Sequence, residues 1–123
     1  MIVGMQVEMT VASRKKVLQK IGQYWPAVDA EEVMDVLNGY GGQSSGRGRA
    51  RVQLAILKLS AGRRERLPEL VRMAQGDYRD VLAYAEYPEE MRLGFVGMRE
   101  LSPEEARAVR QRDREQYLEW LED

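Results

Sequence analysis

From Ser13 onward, apolar residues recur every three or four positions, and each such run is closed by a glycine or a proline, the pattern of successive amphipathic helices. Ser13 is a plausible N-cap for a first helix with Val17, Leu18 and Ile21 on one face and Lys15, Lys16 and Lys20 off it, and Pro26 ends it after an aromatic turn at Tyr24 and Trp25. Asp29 and Glu32 have the D-x-x-E spacing of a capping box ahead of a short second helix carrying Val33, Met34, Val36, Leu37 and Tyr40. Gly39, Gly41 and Gly42 stop it. They open GYGGQSSGRGR, whose glycines and serines predict a mobile loop at 39–49.

A third helix is predicted over about Ala50 to Ala61, with Val52, Ala55, Ile56 and Leu59 at helical spacing and Gly62 as its left-handed C-cap. Leu54 and Leu57 widen its apolar stripe, as expected of a central helix buried on more than one side. Pro68 suits the first turn of a fourth helix facing inward through Leu67, Leu70, Val71 and Ala74, with Gly76 as its end. Asp77 and Asp80 then start a fifth, which turns Tyr78, Val81, Leu82 and Ala85 inward as far as Pro88. Gly94 and Gly97 interrupt the apolar residues between Pro88 and Leu101, which reads as a packed connector. Ser102, Pro103 and Glu105 form the clearest helix start in the chain, leading to a last helix that reaches about Leu121. Its inner line, Ala106, Val109, Asp113, Tyr117, Trp120 and Leu121, is thin and includes one charge. No segment longer than a few residues alternates with period two, and no repeat of fixed length appears.

The fold expected is therefore all-α, a single compact bundle of five to six helices over residues 13–123, with residues 1–12 as a candidate disordered leader. A chain of 123 residues can bury about two thirds of its unfolded surface without covalent staples. It contains neither Cys nor His, so disulfides, thiolate metal sites and the commonest general base are excluded. No catalytic, cofactor-binding or metal site is assigned, and neither a membrane span nor a signal peptide is read, which makes the cytoplasm the default compartment.

Charge is unevenly placed. Between Arg47 and Arg66 seven basic residues stand against Glu65 alone, whereas from Asp77 to Asp123 seven arginines face thirteen carboxylates. The two regions are complementary, either to each other or to a neighbouring chain. Arg47, Arg49, Arg51, Arg63 and Arg64 are also the candidate contacts for an external anion or nucleic acid, because guanidinium groups neutralise phosphate. The glycine-rich loop lacks the Lys-Ser/Thr and the preceding strand of a P-loop, and a near-neutral chain differs from the basic surface of a dedicated nucleic-acid domain.

Asp80, Tyr84 and Tyr87 share a helical face and form the candidate site of a metal-independent enzyme, although Asp77 and Asp80 are sufficiently explained as helix-start residues. Tyr24, Trp25, Tyr117 and Trp120 are the candidate partner contacts, since such side chains are enriched where proteins meet. The reading that accounts for most of these features is a protein–protein interaction or self-associating module without catalysis, ahead of the anion- or nucleic-acid-binding accessory and the enzyme.

The segments RVQLAILKLSAG, LPELVRMA and above all DYRDVLAYAEYPEEM, within Arg51 to Arg92, resemble a group of small bacterial all-helical proteins with no assigned activity. The resemblance covers about a third of the chain and implies a bacterial origin and a compact helical unit. It carries no catalytic residue across.

Overall fold

A computed structural model gives residues 12–41 and 46–123, without the side chains of Gly46 and Arg47; most of the candidate leader (1–11) and the middle of the glycine-rich loop (42–45) lie outside the described residues. Six α-helices and a single 3₁₀ turn follow one another, with no strand among the described residues. Helix α1 (Arg14–Tyr24) starts where the Ser13 hydroxyl accepts the Lys16 N–H at 3.2 Å. Val17 and Ile21 face the core. Leu18, expected beside them, is exposed, and Lys20, expected outside, is 1% exposed. Its ammonium donates to the carbonyls of Trp120 and Asp123 and to Gln23 Oε1 at 3.0 Å, and lies 4.4 Å from the centre of the Trp120 ring, so its burial is offset largely by the end of another helix.

Helix α2 (Ala27–Leu37) begins directly after Pro26, with no side-chain cap. Asp29 serves as a first-turn carboxylate and not as the start of a capping box, and with Glu32 it binds the Arg64 guanidinium. Helix α3 (Gly46–Ser60) is the middle of the molecule: Val52 through Leu57 are buried in unbroken succession, which a helix achieves only when neighbours surround it. Its start is four residues earlier than the sequence pattern predicts, so Gly46 to Arg49 are helical and the loop is correspondingly shorter. At its far end Ala61 and Gly62 both take positive φ. Gly62 lets the chain turn against the Tyr24 ring, which a Cβ there would approach to 3.1 Å.

After the 3₁₀ turn at Arg64–Arg66, helix α4 (Leu67–Glu86) packs along α3 in the largest helix–helix contact of the fold. It joins the two predicted helices across a kink at Asp77, which has extended backbone angles and accepts the Arg79 N–H on its own carboxylate. Asp77 thus starts the second helical run as its N-cap, as its position in the sequence suggests. Tyr78, expected inside, is exposed.

Two further findings depart from the sequence reading. The expected connector is helix α5 (Pro88–Arg99), interrupted at Gly94 with φ 73°, and none of its residues is buried. Glycine tolerates that angle, so the helical turns can continue on both sides of it. Helix α6 (Pro103–Glu122) carries the full capping box between Ser102 and Glu105, and it buries Val109, Asp113, Tyr117 and Leu121.

The core is one continuous cluster drawn from α1, α2, α3, α4 and α6. A polar group sits within it: Gln53, buried on α3, donates to the carbonyls of Leu37 at 3.0 Å and Tyr40 at 3.2 Å, closing the end of α2. A buried carbonyl that loses its donor costs its full desolvation penalty. Gln53→Leu, close in size, is therefore expected to lower the unfolding free energy by about 2 kcal/mol in urea denaturation. An unchanged midpoint would show that water replaces the amide.

Candidate functional site

The most elaborate local structure is the corner between α4 and α5. Glu86 ends one helix, Tyr87 turns the chain, and Pro88 starts the next, where its missing N–H loses nothing. No local side chain caps this start. Asp113, on the inner face of α6 and 1% exposed, does so instead: its two carboxylate oxygens accept the N–H groups of Glu89 at 2.8 Å and Glu90 at 3.0 Å. Gln116, about one turn further along α6, donates to the Ala85 carbonyl at 3.2 Å, at the end of α4. One helix therefore closes the termini of two others.

Beside this corner lies a cleft of about 800 Å³. Its apolar floor is Leu54 from α3 with Tyr117 and Leu121 from α6, and its rim carries the guanidinium groups of Arg51, Arg110 and Arg114. Arg51 holds the buried Glu86 through Nε at 2.8 Å and Nη2 at 2.7 Å, a fork-to-carboxylate pair. That bond keeps the Arg51 guanidinium protonated far beyond the ordinary range. Arg110 stands 3.6 Å from Glu90, a looser pairing across the rim. Outside it, Arg112 grips Glu89 with distances of 2.9 and 2.6 Å and holds that carboxyl below the usual carboxylate range.

The structure distributes the predicted site residues among different places. Arg51 enters the cleft, and Arg64 pairs with Asp29 and Glu32 on α2. Arg63 is exposed on the turn after α3, and Arg49 sits beside Gly41 with its Nε buried and unpaired. The Arg47 side chain lies outside the described residues. These arginines do not form one face around the loop.

Tyr24, Trp25, Tyr117 and Trp120 gather at the seam of α1 and α6. Trp120 donates from Nε1 to the Tyr24 hydroxyl at 2.7 Å and stacks on Tyr117 with ring centres 5.8 Å apart, while Trp25 leans on Tyr24. Their contacts include one another and Lys20, whose burial pushes its ammonium toward the neutral form. Asp80 and Tyr84 are exposed on α4 and are not among the residues lining this cleft, whereas Tyr87 is.

No protein-family model, curated protein or solved structure matches the chain. Among the described residues no group of three or more carboxylates could hold a metal ion, and no helix is long and apolar enough to cross a membrane. What the cleft offers chemically is charge and shape, an apolar recess edged by guanidinium groups. The residues that build it beyond Arg51, namely Asp113, Gln116, Arg110 and Arg114, carry only a faint sequence signal. Asp113 occupies a core position of an amphipathic helix, and Arg110 and Arg114 stand four apart on one face.

The corner has a pH signature. Glu89 has a folded pKa below its ordinary 4.5, so the stability it contributes is fully present above that value and is lost as pH falls through the folded value. Urea unfolding of wild type and Glu89→Gln between about pH 6 and pH 3 is expected to show the wild-type advantage shrinking on the acid side. Because the pair is exposed the effect is small. A pH-independent difference would mean that Arg112 and Glu89 do not interact in solution.

Proposed function

We propose that the protein is a self-associating interaction module whose copies meet through α5. The observation that carries this reading is the helix itself: twelve residues contribute none to the core, while Phe95 and Val96 stand 77% and 59% exposed and Met91 lies half-open beside them. A short helix is marginal in water unless its apolar face is covered, and clustered exposed apolar side chains mark contact surfaces. Arg99 lies over the Phe95 ring at 5.2 Å, a partial cover that a closer partner would complete.

A second copy of the chain fits this face for electrostatic reasons. The net charge of −1 opposes association very little, and the rim of α5 carries both signs, Arg92 and Arg99 near Glu100. In a two-fold contact each patch meets itself, so a rim of one sign would repel and a mixed rim is self-compatible. An antiparallel crossing of two copies brings the end of α5 that carries Arg92 toward the end of the other copy's helix, where Glu100 follows Arg99. A single helix face is smaller than a standard interface of about 800 Å² per partner, so association in the micromolar range is expected.

Sedimentation equilibrium up to a few hundred micromolar tests this directly. Wild type is expected to dimerise, Phe95→Ser to remain monomeric, and Arg92→Glu or Glu100→Arg to weaken the dimer about tenfold, with the double exchange restoring it. A wild-type monomer at every concentration, or a double exchange no better than either single change, would sink the proposal.

A further inference from the structure

We infer that Gly94 is the positioning residue of the self-contact: the break it makes in α5 holds Phe95 and Val96 in the arrangement that a second copy recognises. This rests on the self-association proposed above and names the residue on which the shape of that surface turns. Gly94 has φ 73° and ψ −179°, a pair of angles open in practice to glycine alone, because the Cβ of an L-residue collides there with its own backbone. Packing does not ask for glycine at this point. A Cβ at 94 would meet nothing within 4 Å beyond its chain neighbours and its own helical backbone, and no residue of α5 is buried. The requirement is therefore for the backbone angle itself.

The place of the break gives it a use. Met91 comes before it, and Phe95 and Val96, the most exposed large apolar side chains of α5, come directly after. In an unbroken helix Phe95 would lie one turn above Met91 on a single stripe. Turning the backbone at Gly94 re-aims everything after it relative to everything before. Interface cores fit as closely as protein interiors, so such a change of aim is not absorbed by the partner. Glycine is also a poor residue for a helix interior, and the residue that permits the turn thereby disfavours the straight alternative. In a two-fold contact both copies present the same break, so one substitution alters the surface on both sides.

The test compares two chains of identical composition that differ in handedness at one carbon. Gly94→Ala, the ordinary L-residue, is expected to bring residue 94 toward helical angles and to weaken the dimer at least about tenfold in sedimentation equilibrium. Its melting temperature below the dimerising concentration should stay near that of wild type, because α5 contributes nothing to the core. With Gly94 replaced by D-alanine, in a chain assembled by chemical ligation, the observed angles are the mirror image of ordinary extended backbone and carry no strain, so the dimer should hold to within about twofold of wild type. Gly22→Ala, at an exposed position of α1 where a Cβ meets nothing within 4 Å, should leave association unchanged. If Gly94→Ala melts far below wild type, the D-alanine chain decides: wild-type association supports the inference and its loss overturns it. A wild-type chain that never dimerises removes the self-association reading and this inference together. Wild-type dimers with equal affinity in Gly94→Ala, or a D-alanine chain no better than the L-alanine one, overturn the role of Gly94 alone.

Discussion

Every α-helix leaves four N–H groups at its start and four carbonyls at its end without internal partners, and a chain that packs six helices among its described residues multiplies that burden. Most of the specific polar contacts in this fold answer it. Gln53 of α3 closes α2, Gln75 of α4 reaches the Gly39 carbonyl just beyond α2, Arg66 donates to the Leu59 carbonyl near the end of α3, and Lys20 of α1 receives the end of α6. Asp113 and Gln116 do the same for α5 and α4. Each of these bonds joins one element to another, so closing a helix end also fixes its direction. Apolar burial supplies the drive to collapse but is indifferent to register, whereas an amide or carboxylate seated on a helix terminus tolerates little displacement.

This division explains what could be read along the chain. Local caps are written in neighbouring residues, and Ser13, the Ser102–Glu105 box and the restart at Asp77 lie where their spacing puts them. The all-α class, the central burial of α3 and the stop at Gly62 follow from periodicity and turn residues in the same way. Caps donated from distant helices leave no local trace. That is why Lys20 looked like a solvent-facing charge and why Asp113 looked like a flaw in the inner line of α6. The helix at Pro88–Arg99 was hidden for a related reason: its N-terminus is satisfied from α6, while Gly94 does break the helical run as the sequence suggests, with helical turns on both sides of the break.

The charge asymmetry shows a similar gap between pattern and place. Basic middle and acidic tail suggest a fold-back of one on the other, and among the described residues Arg51 to Glu86 is the bridge that spans them directly. Arg64 turns to α2, and the arginines of α6 hold carboxylates of α5 within the tail itself. Sequence counts give the sum of charges in a region, whereas Coulomb attraction at protein surfaces acts over a few ångströms and depends on which helices become neighbours. The cleft was illegible for that reason: its rim takes Arg51 from one charged block and Arg110 and Arg114 from the other.

Asp113 connects the two surfaces that matter most. By accepting the first N–H groups of α5 it sets the angle at which that helix leaves α4, and the same angle opens the recess between Glu90 and the arginines of α6. The base of α5 and the Glu90 edge of the cleft thus share one buried carboxylate. A substituent that shifts Glu90 moves the helix start to which Asp113 is bonded, and a contact that draws on Phe95 pulls the same helix from its far side. Coupling between such surfaces requires only that each bias the position of the shared element, and α5, held at its base by Asp113 and the Arg112–Glu89 pair and carrying no core residue, is that element.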